Sequence, residues 1–222
     1  MDMKRTLWLT VFAIAMAYLE SAVVVYLREL YFPDGFQFPI VLAPMRIAVI
    51  ELGRELATVL MLVGIAVLAS RDRLESFLHF CFLFGVWDIF YYVWLKVCLN
   101  WPESLLTWDI LFLLPLPWLG PVLAPVLVAV GLVVGSSILL RFRARGVPVV
   151  IPRWVWILEI LAGLVVITSF VWDFRVVLET RSPGAFHWPL YGAGMVLGIV
   201  AFGVFVIRLG RRSVTSAGES LG

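Results

Sequence analysis

The stretch IAVIELGRELATVLMLVGIAVLA, Ile47 to Ala69, decides how this chain is read. Its length and apolar content suit a helix crossing a hydrocarbon core of about 30 Å. Yet Glu51, Arg54 and Glu55 stand inside its first half. Ionisable groups at membrane depth are costly and turn toward a bundle interior or a wet cavity. The stretch therefore predicts a membrane bundle and, within it, a polar interior site.

The remaining sequence supports the first half of that inference. Of 222 residues, 63% are hydrophobic and only 14% are charged, with a mean hydropathy of +1.03, well beyond the roughly half-apolar make-up of soluble domains. Apolar runs long enough to span fall at about 7–31, 47–69, 75–98, 120–141, 153–175 and 188–208. The expected fold is an all-α, polytopic integral membrane bundle of six transmembrane helices, one transmembrane domain over 1–222.

Orientation follows from the distribution of Lys and Arg, which are retained on the cytoplasmic side. Eleven lie at the N-terminus, in the second and fourth connections and in the tail, against five (Arg28, Arg46, Lys96, Arg175 and Arg181) on the other face. Both termini are thus expected inside, in a bacterial cytoplasmic membrane. Lys4, Arg5 and the small residues Ala15 to Ala17 imitate a signal peptide, but the apolar run continues to Leu27, so the first helix reads as uncleaved. Cys81 and Cys98 fall about 25 Å apart on one predicted helix, too far to bridge. The formal charge of +2 is mostly orientation signal and points to no nucleic-acid partner.

The two faces differ in kind. Cytoplasmic connections such as SRDRLES are short and Arg-rich, whereas the outer ones, YFPDGFQFPIVLAP, LNWPESLLTWDILFLLPLPWLGPVLAP and ETRSPGAFHWP, are rich in proline and aromatics. Residues 104–114 are apolar around Asp109 but too few to cross the bilayer as a helix. Because Pro115 and Pro117 follow, this segment reads as a short re-entrant or interfacial helix stopped by proline, a roof that includes Trp118. A faint repeat, VWD at 86–88 and 171–173 followed by WP at 101–102 and 188–189, suggests related hairpins. Gly131 with Gly135, and Gly194 with Gly198, are small-residue pairs that permit close helix approach.

At about 1.5 Å per residue, Glu51 falls about 8 Å and Glu55 about 14 Å below Arg46, while Glu20 and Asp88 fall about 12 Å below Arg28 and Lys96. Glu51, Arg54, Glu55 and Thr58 share one helical stripe. Glu20 with Ser21, and Asp88 with Tyr91 and Tyr92, mark polar stripes on the first and third spans. The expected site is therefore Glu20, Glu51, Arg54, Glu55 and Asp88, a set suited to proton transfer or to holding a charge. Tyr91, Tyr92, Asp109, Trp118, Asp173 and His187 are the candidate binding residues around it. Four carboxylates against one guanidinium leave a formal excess of three negative charges. Bound protons, a hard cation such as Mg²⁺, Mn²⁺ or Ca²⁺, or an inward reach by Arg28 or Lys96 would each balance it.

His79 and His187 fall at opposite ends, which argues against a haem ligated by both. The sequence has no HExxH, P-loop, CxxC or Gly-x-Ser-x-Gly signature. Three roles are left open: a site for a lipophilic or cationic small molecule, a proton- or cation-coupled carrier, and a non-catalytic subunit anchoring a larger membrane complex. Substrate and reaction are not legible in the residues.

Overall fold

Helices form where the apolar runs are, since a chain in lipid must satisfy its own backbone polar groups. The computed structural model describes residues 3–32, 44–113, 117–180, 182 and 184–219. The expectations for residues 33–43, Pro115 and Arg181 lie outside that set. The helices are α1 (Met3–Tyr31), α2 (Met45–Leu68), α3 (Arg73–Leu99), α4 (Leu123–Ala144), α5 (Arg153–Val171), the short α6 (Phe174–Thr180) and α7 (Trp188–Glu219). Among the described residues, five helical stretches are long and apolar enough to cross a membrane: α1, α3, α4, Arg153–Val177 and Trp188–Arg211. With 24 residues, α2 rises about 36 Å and matches them in length, but Glu51, Arg54 and Glu55 set it apart.

Helix α3 is central and packs on α1, α2 and α4, while α5 packs along α7. Ala17, Leu62 and Leu83 seal the junction of α1, α2 and α3. Leu78, Leu140, Val155 and Phe205 join α3, α4, α5 and α7 at one end of the bundle. At the other end Ala124, Val166, Phe170 and Tyr191 join α4, α5 and α7, and the Tyr191 hydroxyl donates to the Ala124 carbonyl at 2.8 Å.

Local chemistry fixes the turn between α2 and α3. Asp72 is the N-cap of α3 and accepts the Glu75 N–H at 3.0 Å, while the Glu75 carboxylate accepts the Arg71 N–H at 2.9 Å. This resembles a capping box, with both acids serving helix-start donors. The Glu75 amide, assisted by the Arg143 guanidinium, holds the Asp72 carboxyl below the usual range. Arg5 pairs with Glu75 at 3.1 Å, and Arg143 pairs with Asp72. The start of α1, the α2–α3 turn and the end of α4 are thereby gathered at one end.

The expected short helix at 104–114 is replaced by a β-hairpin. β1 (Trp108–Phe112) pairs antiparallel with β2 (Trp118–Pro121), Asp109 opposite Gly120 and Ile110 opposite Leu119, with an irregularity between Ile110 and Phe112. The physical reason lies in the residues. Trp108, Ile110 and Phe112 alternate with Asp109 and Leu111, a period of two that suits a pleated strand, and aromatic and β-branched side chains favour one. Pro117 and Pro121 deny a helix its hydrogen bonds. The Leu119 side chain, with Trp108 and Ile110, packs on Val177 and Phe174 of α6. The all-α class holds for the rest of the described chain.

Two further expectations are modified. The VWD segments are folded differently: Asp88 lies inside continuous α3, whereas Asp173 lies in the break between α5 and α6. Gly194 and Gly198 do face α5, but Gly131 faces open space. The closest backbone approach is at Gly85, where a Cβ would stand 2.6 Å from the Ala129 carbonyl oxygen of α4. Gly85→Ala is therefore expected to lower stability by about 1–3 kcal/mol through overpacking. Gly131→Ala should be neutral or slightly stabilising, because alanine is the better helix former. Thermal unfolding of the two variants in the same detergent checks the contrast.

Candidate functional site

The inward stripe of α2 changes character along its length, with Glu55 and Thr58 followed by Leu62 and Ala66, all buried. The half nearer Met45 meets polar groups of α1 and the hairpin. The Arg54 guanidinium binds Glu20 of α1 through Nη1, and Nε and Nη2 each lie 2.8 Å from Glu51 Oε2, one turn away. The Thr58 hydroxyl donates to the second Glu20 oxygen at 2.9 Å. Both oxygens of Glu20 are thus committed, and α1 is tied to α2.

Glu55 does something else. Its two oxygens accept the Leu113 backbone N–H at 3.1 and 3.0 Å, just beyond the end of β1. Glu55 lies about 15 Å along α2 from its Met45 end. The carboxylate satisfies a main-chain donor just past the end of the strand.

A second ion pair holds the other side of β1. Arg28 Nη2 donates to Asp109 Oδ1 at 3.0 Å, with both side chains almost sealed (9% and 3% exposed). The guanidinium lies 3.7 Å from the Trp101 ring centroid, a cation–π contact strengthened by exclusion of water. Lys96, the other candidate for inward reach, instead caps the end of α3 through the Asn100 and Pro102 carbonyls at 3.1 and 3.0 Å.

Asp88 Oδ2 and Asp109 Oδ2 are both buried without a hydrogen-bond partner, and the two acids lie close enough for their charges to interact. Tyr91 stacks with Trp87 and meets Tyr92 edge-on, while its carbonyl accepts from Ser21 at 3.0 Å. Trp118 stacks on Phe170 with planes 12° apart, away from the α2 carboxylates. His187 Nε2 and Asp173 Oδ2 lie 3.0 Å apart at the junction of α5, α6 and α7, beside Trp172. His79 meets Ser70 at 2.8 Å near the start of α3.

The expected constellation thus divides into three. Glu20, Glu51 and Arg54 form one tie. Glu55, Asp109 and Arg28, one of the two cations expected to reach inward, hold the hairpin, with Asp88, Tyr91 and Tyr92 beside them. Asp173 and His187 make a separate pair. Five carboxylates, Glu20, Glu51, Glu55, Asp88 and Asp109, now stand against two guanidiniums, Arg28 and Arg54, so the formal excess of three negative charges persists. Among the described residues no three His, Cys, Asp or Glu side chains gather to hold a metal ion, so the hard-cation alternative finds no ligand set there. The Arg28–Asp109 pair joins residues 81 apart, a separation no local pattern reveals. The period-two alternation around Asp109 was the available signal for the hairpin.

No protein family, curated protein or solved structure matches the chain.

Breaking a buried pair from one side strands the partner charge and typically costs about 3–5 kcal/mol. Arg54→Met should show a loss of that order in thermal or denaturant unfolding, and adding Glu20→Gln should recover part of it. Glu55→Gln keeps an acceptor for the Leu113 amide, whereas Glu55→Leu removes it. Hydrogen exchange at Leu113 should therefore rise sharply in the leucine variant and little in the glutamine variant.

Proposed function

We propose that the protein is a non-catalytic subunit of a membrane assembly, a six-span bundle whose outer-half charges fasten a re-entrant hairpin. The five apolar helical stretches make it a membrane-embedded protein. The sixth span is α2, long enough to cross and turning its ionisable residues toward its neighbours. Orientation follows the positive-inside rule, with both termini cytoplasmic, in a bacterial cytoplasmic membrane.

One observation carries the choice among the three roles: Glu20, Glu51, Arg54, Glu55, Arg28 and Asp109 are each bound to protein groups. A substrate or transported ion would have to displace those partners. Helix α2 also leaves Ile50, Leu52, Leu56, Leu60, Val63 and Val67 exposed, an apolar flank suited to a partner's transmembrane helix or to lipid.

The test is purification in a mild detergent followed by native mass spectrometry of the wild type and of Leu56→Trp with Leu60→Trp. A stoichiometric membrane partner, lost in the variant while the chain stays folded, supports the subunit role. A lone chain that is stable and carries a small molecule overturns it.

A second reading rests on Asp88, whose buried oxygen lacks a partner and which lies beside Asp109 and the Tyr91–Tyr92 pair. It supports a small-molecule or proton-coupled role at that acid. Asp88→Asn would then abolish ligand retention or transport in proteoliposomes, and His79→Ala would not. Equal effects of the two variants would sink it.

A further inference from the structure

The seam between α5 and α7 is closed at one point and open at another. Near Gly194 a Cβ would stand 2.8 Å from Val166 Cγ2 and 3.0 Å from the Ala162 carbonyl oxygen, and near Gly198 it would stand 3.4 Å from Ala162 Cβ. The two helices are therefore in contact there. Toward the Arg153 end of α5, larger side chains replace glycine, and a cavity of about 300 Å³ opens beside the seam. Leu158, Leu197, Val200 and Val204 line it, and Trp154 and Arg208 close its end.

From Leu197 to Arg208 the groove runs about 16 Å along α7. It is apolar over its length and cationic at one end. The Arg208 guanidinium lies 5.5 Å from the Trp154 ring centroid, and no carboxylate pairs with it among the described residues. Arg153 adjoins Trp154 in sequence and is exposed. Val200 and Val204 are also exposed, at 56% and 37%.

We infer that this groove binds an anionic glycerophospholipid, with one acyl chain along Leu158, Leu197 and Val204 and the headgroup phosphate on Arg208. Charge and shape choose the occupant. A transmembrane helix is about 10–12 Å across with its side chains and does not fit within a cavity of this volume, whereas a single hydrocarbon chain does. The cationic end coincides with the Trp154 ring, a side chain suited to headgroup level. Basic pockets between membrane helices on the cytoplasmic side are suited to anionic headgroups. The site requires only that α5 and α7 lie in a bilayer, and it is independent of the subunit role. Its assignment to the inner leaflet follows from the orientation proposed above.

The experiment titrates the detergent-purified full-length chain with dioleoylphosphatidylglycerol or dioleoylphosphatidylcholine and counts bound lipid by native mass spectrometry. The variants are Arg208→Gln, Val204→Trp to fill the groove, and Arg175→Gln as a basic-residue control on another surface. Circular dichroism and the unfolding midpoint establish that each variant is folded. One high-affinity phosphatidylglycerol is expected on the wild type and on Arg175→Gln. Affinity should fall about fivefold in Arg208→Gln, the size expected for one basic residue at an anionic surface, and the adduct should vanish in a folded Val204→Trp. Equal binding of the two lipids, equal loss in Arg175→Gln, or an unchanged adduct in both groove variants would overturn the assignment. If Val204→Trp does not fold, Arg208→Gln against Arg175→Gln decides alone. A co-purifying protein helix cross-linked to position 204 in place of lipid would also overturn it.

Discussion

A backbone amide at membrane depth needs an acceptor, because no bulk water is there to supply one. In this protein the Leu113 N–H finds that acceptor in both oxygens of Glu55, and the hairpin is anchored around the contact. A two-stranded hairpin is marginal even in water. Here it has side-chain anchors on three elements: Arg28 of α1 on Asp109, Glu55 of α2 on Leu113, and Val177 of α6 against Leu119. Of the polar residues that looked like an active centre in the sequence, Glu55 and Asp109 hold this insert, whereas Glu20, Glu51 and Arg54 tie α1 to α2.

The same contact explains why α2 carries charge at all. Once Glu55 faces the hairpin, helical geometry puts Glu51 one turn away on the same side, with Arg54 beside them. Arg54 then lies where it can reach Glu20, and the ion pair joins α1 to a helix that otherwise packs mainly on α3. A buried ion pair is often no more stabilising than apolar packing of the same volume, so its value here is positional. A one-residue slip of α2 would rotate both Glu55 and Arg54 by about 100°, losing the hairpin donor and the α1 partner together. Apolar side chains in lipid would mark the correct register less sharply, since every face of a membrane helix is already apolar.

Most of the fold was legible in the sequence because it depends on run length: the six long helices follow from where apolar residues continue and where proline or charge interrupts them, whereas the break after Val171 that sets off the short α6 does not. The hairpin was not legible as a helix or as a turn. Its length rules out a span and its prolines end it, but only the alternation of Trp108, Ile110 and Phe112 with Asp109 distinguishes strand from short helix, and five residues carry that signal. The site was legible as depth and helical stripe, which brought Glu20, Glu51, Arg54 and Glu55 to one slab. It was not legible as pairing. Arg28 looked like a boundary marker because its partner, Asp109, lies far along the chain, and the partner of Glu55 is a main-chain group that no side-chain pattern encodes.

Architecture and chemistry can still be separated residue by residue. Glu20 cannot release Arg54 and Thr58 without loosening α1 from α2, and Glu55 cannot leave Leu113 without freeing its amide. Asp88 and Asp109 each keep a buried Oδ2 without a partner, but Asp109 is also held by the ion pair to Arg28. Asp88 sits on α3, which packs on α1, α2 and α4 and approaches α4 closely at Gly85, and its carboxylate is therefore less committed to the frame than those of Glu20, Glu55 and Asp109.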